Sequence, residues 1–173
     1  MELKSFIRTV PDFPKKGIMF VDITTLVKDP KGFELALEEL YNLCKDKGIT
    51  KVVGIESRGF IFGAALAAKL GVGFVPIRKP GKLPAKTLSE SYELEYGTDK
   101  IEIHEDAISK GDKILLHDDL LATGGTMEAA CKLVEKLGGK IAQISFLVEL
   151  TFLNGRDKFK KYDVRSLVCY DSE

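Results

Sequence analysis

The 173 residues, 45% of them hydrophobic, are enough for one domain with a full core and too few for two ordinary ones. The 26 basic and 26 acidic side chains cancel, so no overall field draws the chain to nucleic acid or to an anionic membrane, and any phosphate chemistry must be local. The charged start, Met1-Glu2-Leu3-Lys4-Ser5-Phe6, is no signal peptide, and no apolar run is long enough to span a bilayer, which reads as a soluble, cytoplasmic protein. Cys44, Cys131 and Cys169 are odd in number and widely spaced, without a C-x-x-C pair. That argues against a disulfide framework or a zinc site and for reduced, half-buried packing residues.

In chain order, Asp29-Pro30 opens a helix in which Phe33, Ala36, Leu37, Leu40 and Cys44 share a face, and Lys47-Gly48 ends it. Lys51 to Ile55 is a short apolar run suited to a strand covered on both faces, and Gly59 to Leu70 after it is rich in small helix formers. Gly73 to Ile77 reads as the next strand. The rhythm then breaks into an excursion: a mobile basic loop, Arg78-Lys79-Pro80-Gly81-Lys82-Leu83-Pro84, and a β-hairpin of Tyr92–Tyr96 and Ile101–His104 turned at Gly97-Thr98-Asp99-Lys100. A third unit follows with Ile114 to His117, a Gly-rich loop, and a helix whose Met127, Ala130, Val134 and Leu137 share a face before Gly138-Gly139. Ile141 to Val148 supplies a fourth strand. Repeated strand-helix-strand units imply an α/β fold with a mainly parallel sheet, helices on both faces, and sites at the carboxyl ends of strands.

The chemistry concentrates after the third strand, where Asp118 and Asp119 lead through Leu120 and Leu121 into Ala122-Thr123-Gly124-Gly125-Thr126 and a helix. Two glycines let successive N–H groups converge on one anion, Thr123 and Thr126 add hydroxyl donors, and the helix start adds partial positive charge. This is a cradle for a phosphate monoester. The acids before it are placed to accept hydrogen bonds from vicinal sugar hydroxyls or to help position Mg²⁺, so the unit recognised is a ribose 5-phosphate. Without a Gly-Lys-Ser/Thr ending, and with no Gly-x-Gly-x-x-Gly after a strand, neither a nucleotide triphosphatase nor a dinucleotide enzyme fits.

Apolar residues, two acids, two apolar residues and Ala-Thr-Gly-Gly-Thr resemble the phosphoribosyl pyrophosphate motif of the type I phosphoribosyltransferases. His117 departs from the usual apolar residue before the acids and is read as a tolerated strand residue. At the end of an earlier strand, Glu56-Ser57-Arg58-Gly59-Phe60 followed by Phe62-Gly63 is similar to the pyrophosphate loop of the adenine phosphoribosyltransferases in particular. That likeness implies a cis peptide before Ser57 and an Arg58 that grips pyrophosphate bidentately. Val10 to Pro14 and Gly17 to Thr24 resemble the family's base-binding segment. By that likeness Phe20 stacks on adenine, backbone around Met19 and Val21 reads its polar edge, and Leu150 closes its other face. Family members often carry Arg where this chain has Val21.

The loop and hairpin likewise look like the family's catalytic flexible loop, in which Arg78, Lys79 and Lys82 neutralise departing pyrophosphate. Glu95, with Tyr96 beside it, then acts as base or hydrogen-bond partner near the reacting purine nitrogen. The resemblance implies one phosphoribosyltransferase domain over 1–173, with a base-binding segment at about 6–27, a core at about 29–150 and an excursion at about 78–108. The tail from Asn154 is only loosely similar. The implied reaction is displacement at the anomeric carbon of phosphoribosyl pyrophosphate by adenine N9, with Mg²⁺ held mainly by substrate oxygens, in a homodimer. Two rivals share the motif: an enzyme for another purine base, such as hypoxanthine or xanthine, and a purine-responsive regulator. Against the regulator, the chain adds no DNA-binding domain or basic face and retains Arg58 and Glu95.

Overall fold

The computed structural model describes residues 2–94 and 96–173. The amino-terminal segment forms a short antiparallel pair, β1 (Arg8–Val10) and β2 (Phe20–Asp22), and then one helical turn, α1 (Thr24–Val27). Helix α2 (Pro30–Cys44) starts where the sequence places it, because Asp29 caps it by accepting from the N–H groups of Lys31 at 2.9 Å and Gly32 at 3.1 Å. Strand β3 (Lys51–Ile55), helix α3 (Gly59–Leu70) and strand β4 (Gly73–Ile77) follow. The excursion is a hairpin of β5 (Thr87–Glu93) and β6 (Thr98–His104). Strand β7 (Lys113–Leu121), helix α4 (Gly125–Lys136), strand β8 (Lys140–Leu150) and strand β9 (Val164–Tyr170) complete the chain.

Five of these strands form one sheet in the order β4-β3-β7-β8-β9, and every neighbouring pair in it is parallel. On one face α2 and α3 cover it, with Ala36, Leu40, Phe62 and Leu66 against Val52, Leu115 and Leu147. On the other, Met127, Ala130 and Val134 of α4 pack against Val53, Leu116, Ile144 and Phe146, and the hairpin adds Ile101 and Ile103 to the same layer. The expected α/β architecture is therefore present, and the strand carboxyl ends of β3, β4, β7 and β8 gather at one edge.

Three details differ from expectation. The hairpin turns earlier: Glu93 pairs with Thr98, and the Leu94 N–H donates to the Gly97 carbonyl at 2.9 Å. Asp99 and Lys100 thus belong to the strand, because Asp99 sits opposite Tyr92 and accepts from its hydroxyl at 3.1 Å. Strand β7 runs on through the acid pair to Leu121, and the tail contributes a fifth strand, β9, along β8. The cysteines are free, as expected, but not uniformly half-buried: Cys44 and Cys131 are buried in the two core layers and Cys169 is exposed.

Candidate active site

The glycine-rich loop connects the end of β7 to α4, and Gly124 is its pivot. With φ at 91°, Gly124 adopts a left-handed conformation costly for any residue bearing a Cβ. Such a Cβ would also lie 3.0 Å from the Phe159 ring and 3.1 Å from the Gly155 carbonyl. Past this pivot, α4 begins at Gly125, so the N–H groups of its first turn lack partners within the helix and can receive an anion. Thr126 faces the cleft beside the two aspartates, whereas Thr123 and Gly125 border the groove between α4 and β5.

The acid pair stands at the carboxyl end of β7. Asp119 is buried, and its Oδ2 accepts from Arg58 Nε at 2.6 Å. Asp118 Oδ1 accepts the Asp119 N–H at 2.8 Å. Confinement away from water, and then the adjacent charge of Asp119, push the Asp118 carboxyl well above the usual carboxylate range. One strand position earlier, His117 is fully buried, with Nδ1 at 2.8 Å from Ser145 Oγ. Burial pulls its imidazole down to about 4, which keeps it neutral at physiological pH. Its place in the middle of the sheet is that of a strand residue, as expected.

Across the cleft, the peptide between Glu56 and Ser57 is cis, as the resemblance implied. The carboxylate of Glu56 accepts from Arg78 Nε at 3.1 Å, Arg78 Nη2 at 3.0 Å and the Lys79 N–H at 3.1 Å. The Arg78 guanidinium beside it, above all, holds the Glu56 carboxyl below its ordinary value. Lys79 Nζ donates to Tyr92 Oη at 2.8 Å and forms an ion pair with Asp99. Arg58, expected to reach for an anion, is thus paired with Asp119, and Arg78 and Lys79 are paired too. These residues, with Ser57, Asp118 and Thr126, enclose a polar cleft of about 270 Å³.

An apolar pocket of about 370 Å³ adjoins the cleft, lined by Val10, Phe13, Phe20, Val21, Ile23 and Arg58 among others. Phe13 meets Phe20 edge to face, with ring centroids 5.0 Å apart, and the Arg58 guanidinium lies 5.7 Å from the Phe20 centroid. Arg58 therefore borders both cavities. This arrangement can hold a flat apolar ring on Phe20 next to a polyanion at the strand ends.

Not every expected residue joins this constellation. Glu95 lies outside the described residues. Tyr96 is 84% exposed at the hairpin tip, and Lys82 is exposed on the loop, close enough to Glu56 for its charge to help depress that carboxyl. Met19 is exposed. Leu150, expected over the base, pairs with Tyr170 at the end of β8 and lies half-buried against the core layer that also holds Val21 and Ile23 of the aromatic pocket. The turn from Gly155 to Phe159 went unread in the sequence, although it supports the loop: Lys158 Nζ donates to the Thr123 carbonyl at 2.5 Å. Its only sequence signal was Asn154-Gly155, a dipeptide suited to a tight turn.

The phosphoribosyl transferase domain family matches residues 25–172. The adenine phosphoribosyltransferase of Christiangramia forsetii is 60% identical over 98% of this chain and 99% of its own length. That of Halothermothrix orenii is 61% identical over 97% of this chain and 99% of its own. Among solved structures, the adenine phosphoribosyltransferase of Thermoanaerobacter pseudethanolicus superposes with a TM-score of 0.94 at 56% identity, covering 97% of this chain and 98% of that one. The Saccharomyces cerevisiae enzyme, complexed with an imino-altritol bisphosphate and adenine, does so with a TM-score of 0.90 at 41% identity, covering 95% and 96%. With a glycine-rich loop, an acid pair and an aromatic pocket set at one sheet edge, and with likeness that runs nearly end to end, this chain belongs to the adenine phosphoribosyltransferases.

Proposed function

We infer that the chain transfers the 5-phosphoribosyl group from phosphoribosyl pyrophosphate to N9 of adenine, giving AMP and pyrophosphate. The observation that carries this reading is the position of Arg58 between the two cavities. It joins a polar cleft suited to a sugar phosphate to an aromatic pocket suited to a purine. The yeast relative, which holds adenine together with a bisphosphate, supports it.

The phosphate loop takes the 5′-phosphate on the N–H groups of Gly124, Gly125 and Thr126 and on the threonine hydroxyls, with Ala122 at its entrance. Asp118 and Asp119 accept the ribose hydroxyls, and Arg58 leaves Asp119 for the pyrophosphate. Glu56 and Ser57 shape the pyrophosphate side, where Arg78, Lys79 and Lys82 offset charge that builds on the leaving group. Phe20 stacks on the base while backbone at Met19 and Val21 reads its edge. Glu95, with Tyr96 beside it, receives the N9 proton as the bond to the anomeric carbon forms. Fixing both substrates at one strand edge converts a bimolecular displacement into an effectively unimolecular one.

Among the described residues no three His, Cys, Asp or Glu side chains converge on a metal position. Two neighbouring carboxylates suit Mg²⁺, which favours few protein ligands and keeps substrate oxygens and water. When bound through the substrate, Mg²⁺ supplies charge neutralisation on the pyrophosphate. No helix among the described residues is long and apolar enough to cross a membrane. Resemblance to the family supports a cytoplasmic enzyme acting on small molecules. Family resemblance supports a homodimer of single-domain subunits, which light scattering and a single cooperative unfolding transition would report.

The deciding assay mixes the protein with Mg²⁺, phosphoribosyl pyrophosphate and each common base in turn and measures pyrophosphate. Release with adenine is expected. Release with hypoxanthine but not adenine overturns the base, and release with none overturns the enzyme.

A further inference from the structure

The loop that receives the 5′-phosphate, Ala122 to Thr126, contains no cationic side chain, although its ligand is a dianion. An ammonium nevertheless reaches it from the tail. Lys158 projects from the turn of Gly155–Phe159 and donates to the Thr123 carbonyl at 2.5 Å. A peptide unit is planar, with its C=O and N–H pointing opposite ways, so holding the Thr123 oxygen fixes the direction of the Gly124 N–H. That N–H belongs to the pivot of the loop, at φ 91°, where the backbone has the most freedom to turn.

The turn is itself tied down from behind. Arg156 donates to Glu149 through Nε at 3.0 Å and Nη2 at 2.5 Å, and through Nη1 to the Val164 carbonyl at 2.8 Å. Glu149 is buried, and Ser166 Oγ donates to it at 2.5 Å, so the clamp joins β8, β9 and the turn. In front, Gly155 lies so close to the loop that a Cβ there would fall 2.3 Å from the Ala122 carbonyl oxygen. The ring of Phe159, buried in the core, abuts Gly124.

We propose that Lys158 is a positioning residue of the 5′-phosphate site: through the Thr123 carbonyl it sets the peptide plane that presents the Gly124 N–H, and it brings the cationic charge the loop lacks. The turn and its Arg156–Glu149 clamp hold it in register. This rests on the phosphoribosyl reading above and adds to it a group outside the phosphate motif. It also makes a selective claim, because Lys158 serves the phosphate end of the substrate and not the pyrophosphate or the base.

The test compares the wild-type chain with Lys158→Met, Lys158→Arg and, as a charge control, Lys160→Ala, an exposed neighbour with no bond to the loop. Initial rates with Mg²⁺ give KM for phosphoribosyl pyrophosphate and adenine, and calorimetry gives the Kd of ribose 5-phosphate and of pyrophosphate separately. Lys158→Met is expected to raise the ribose 5-phosphate Kd and the phosphoribosyl pyrophosphate KM about tenfold, as loss of one charge-assisted contact would. The adenine KM and the pyrophosphate Kd should stay within about twofold, with Lys158→Arg recovering most of the loss and Lys160→Ala losing nothing. Equal weakening of ribose 5-phosphate and pyrophosphate, or no weakening of either, overturns the proposal. Should the wild-type chain release no pyrophosphate with adenine, the function reading falls while the ribose 5-phosphate measurement still judges Lys158.

Discussion

The two walls of the cleft are built on different principles. The loop from Ala122 to Gly124 is a backbone device: a left-handed Gly124, an α4 start and a tail turn in contact with it. The opposite wall is a set of side chains, Glu56 with Arg78, Arg58 with Asp119, and Lys79 with Asp99, each cation paired with a carboxylate. The first wall is preorganised, so little ordering remains to oppose binding there. On the proposed function the second exchanges partners when the pyrophosphate enters, and its affinity is a difference between old contacts and new. Position is thus supplied by one side of the site and adaptability by the other.

Gly124→Val strikes the preorganised wall and should have the largest effect. It combines an unfavourable φ with contacts at 3.0 Å to Phe159 and 3.1 Å to the Gly155 carbonyl. Loss of phosphoribosyl pyrophosphate affinity on the order of a thousandfold is expected. A circular-dichroism melt beside the binding isotherm separates this from unfolding, and a folded variant that still binds tightly would remove the loop from the phosphate site. Glu95→Gln tests the proton transfer from N9. Turnover should drop about a hundredfold with KM values nearly unchanged, and normal turnover would show that another group takes the proton. Asp99→Asn probes the exchanging wall with the smallest effect: freeing Lys79 from its competitor should lower the phosphoribosyl pyrophosphate KM about threefold. A rise in that KM would mean that Lys79 depends on Asp99 for its aim.

The same contrast explains what could be read from the sequence. Strands β3 and β4 and helix α3 fall where apolar runs and glycine breaks place them, and the acid pair with Ala122 to Thr126 announces the backbone wall by residue order alone. The side-chain wall was legible only as a collection of charges, because its pairing crosses the sheet between residues far apart in the chain, such as Arg58 and Asp119. The hairpin turn was misplaced because Thr98, Asp99 and Lys100 are turn-like by composition, yet Asp99 is committed to Tyr92 across the strands. Strand β9 carries no clean alternation, because Ser166 falls in phase with the buried Val164 and Val168 while the apolar Leu167 falls in phase with the exposed Arg165 and Cys169. Nothing local could indicate that Gly155 is pressed against Ala122.

That last contact bears on the order in which the protein comes into being. Synthesis proceeds from the amino terminus, and domains tend to acquire structure as their parts emerge. The phosphate motif leaves the ribosome well ahead of Gly155, Lys158 and the strand that anchors their turn. A nascent chain holding β7 and α4 therefore has every residue of that loop and lacks the turn that packs against it, so the loop's surroundings are completed only after Gly155 to Phe159 and β9 have emerged.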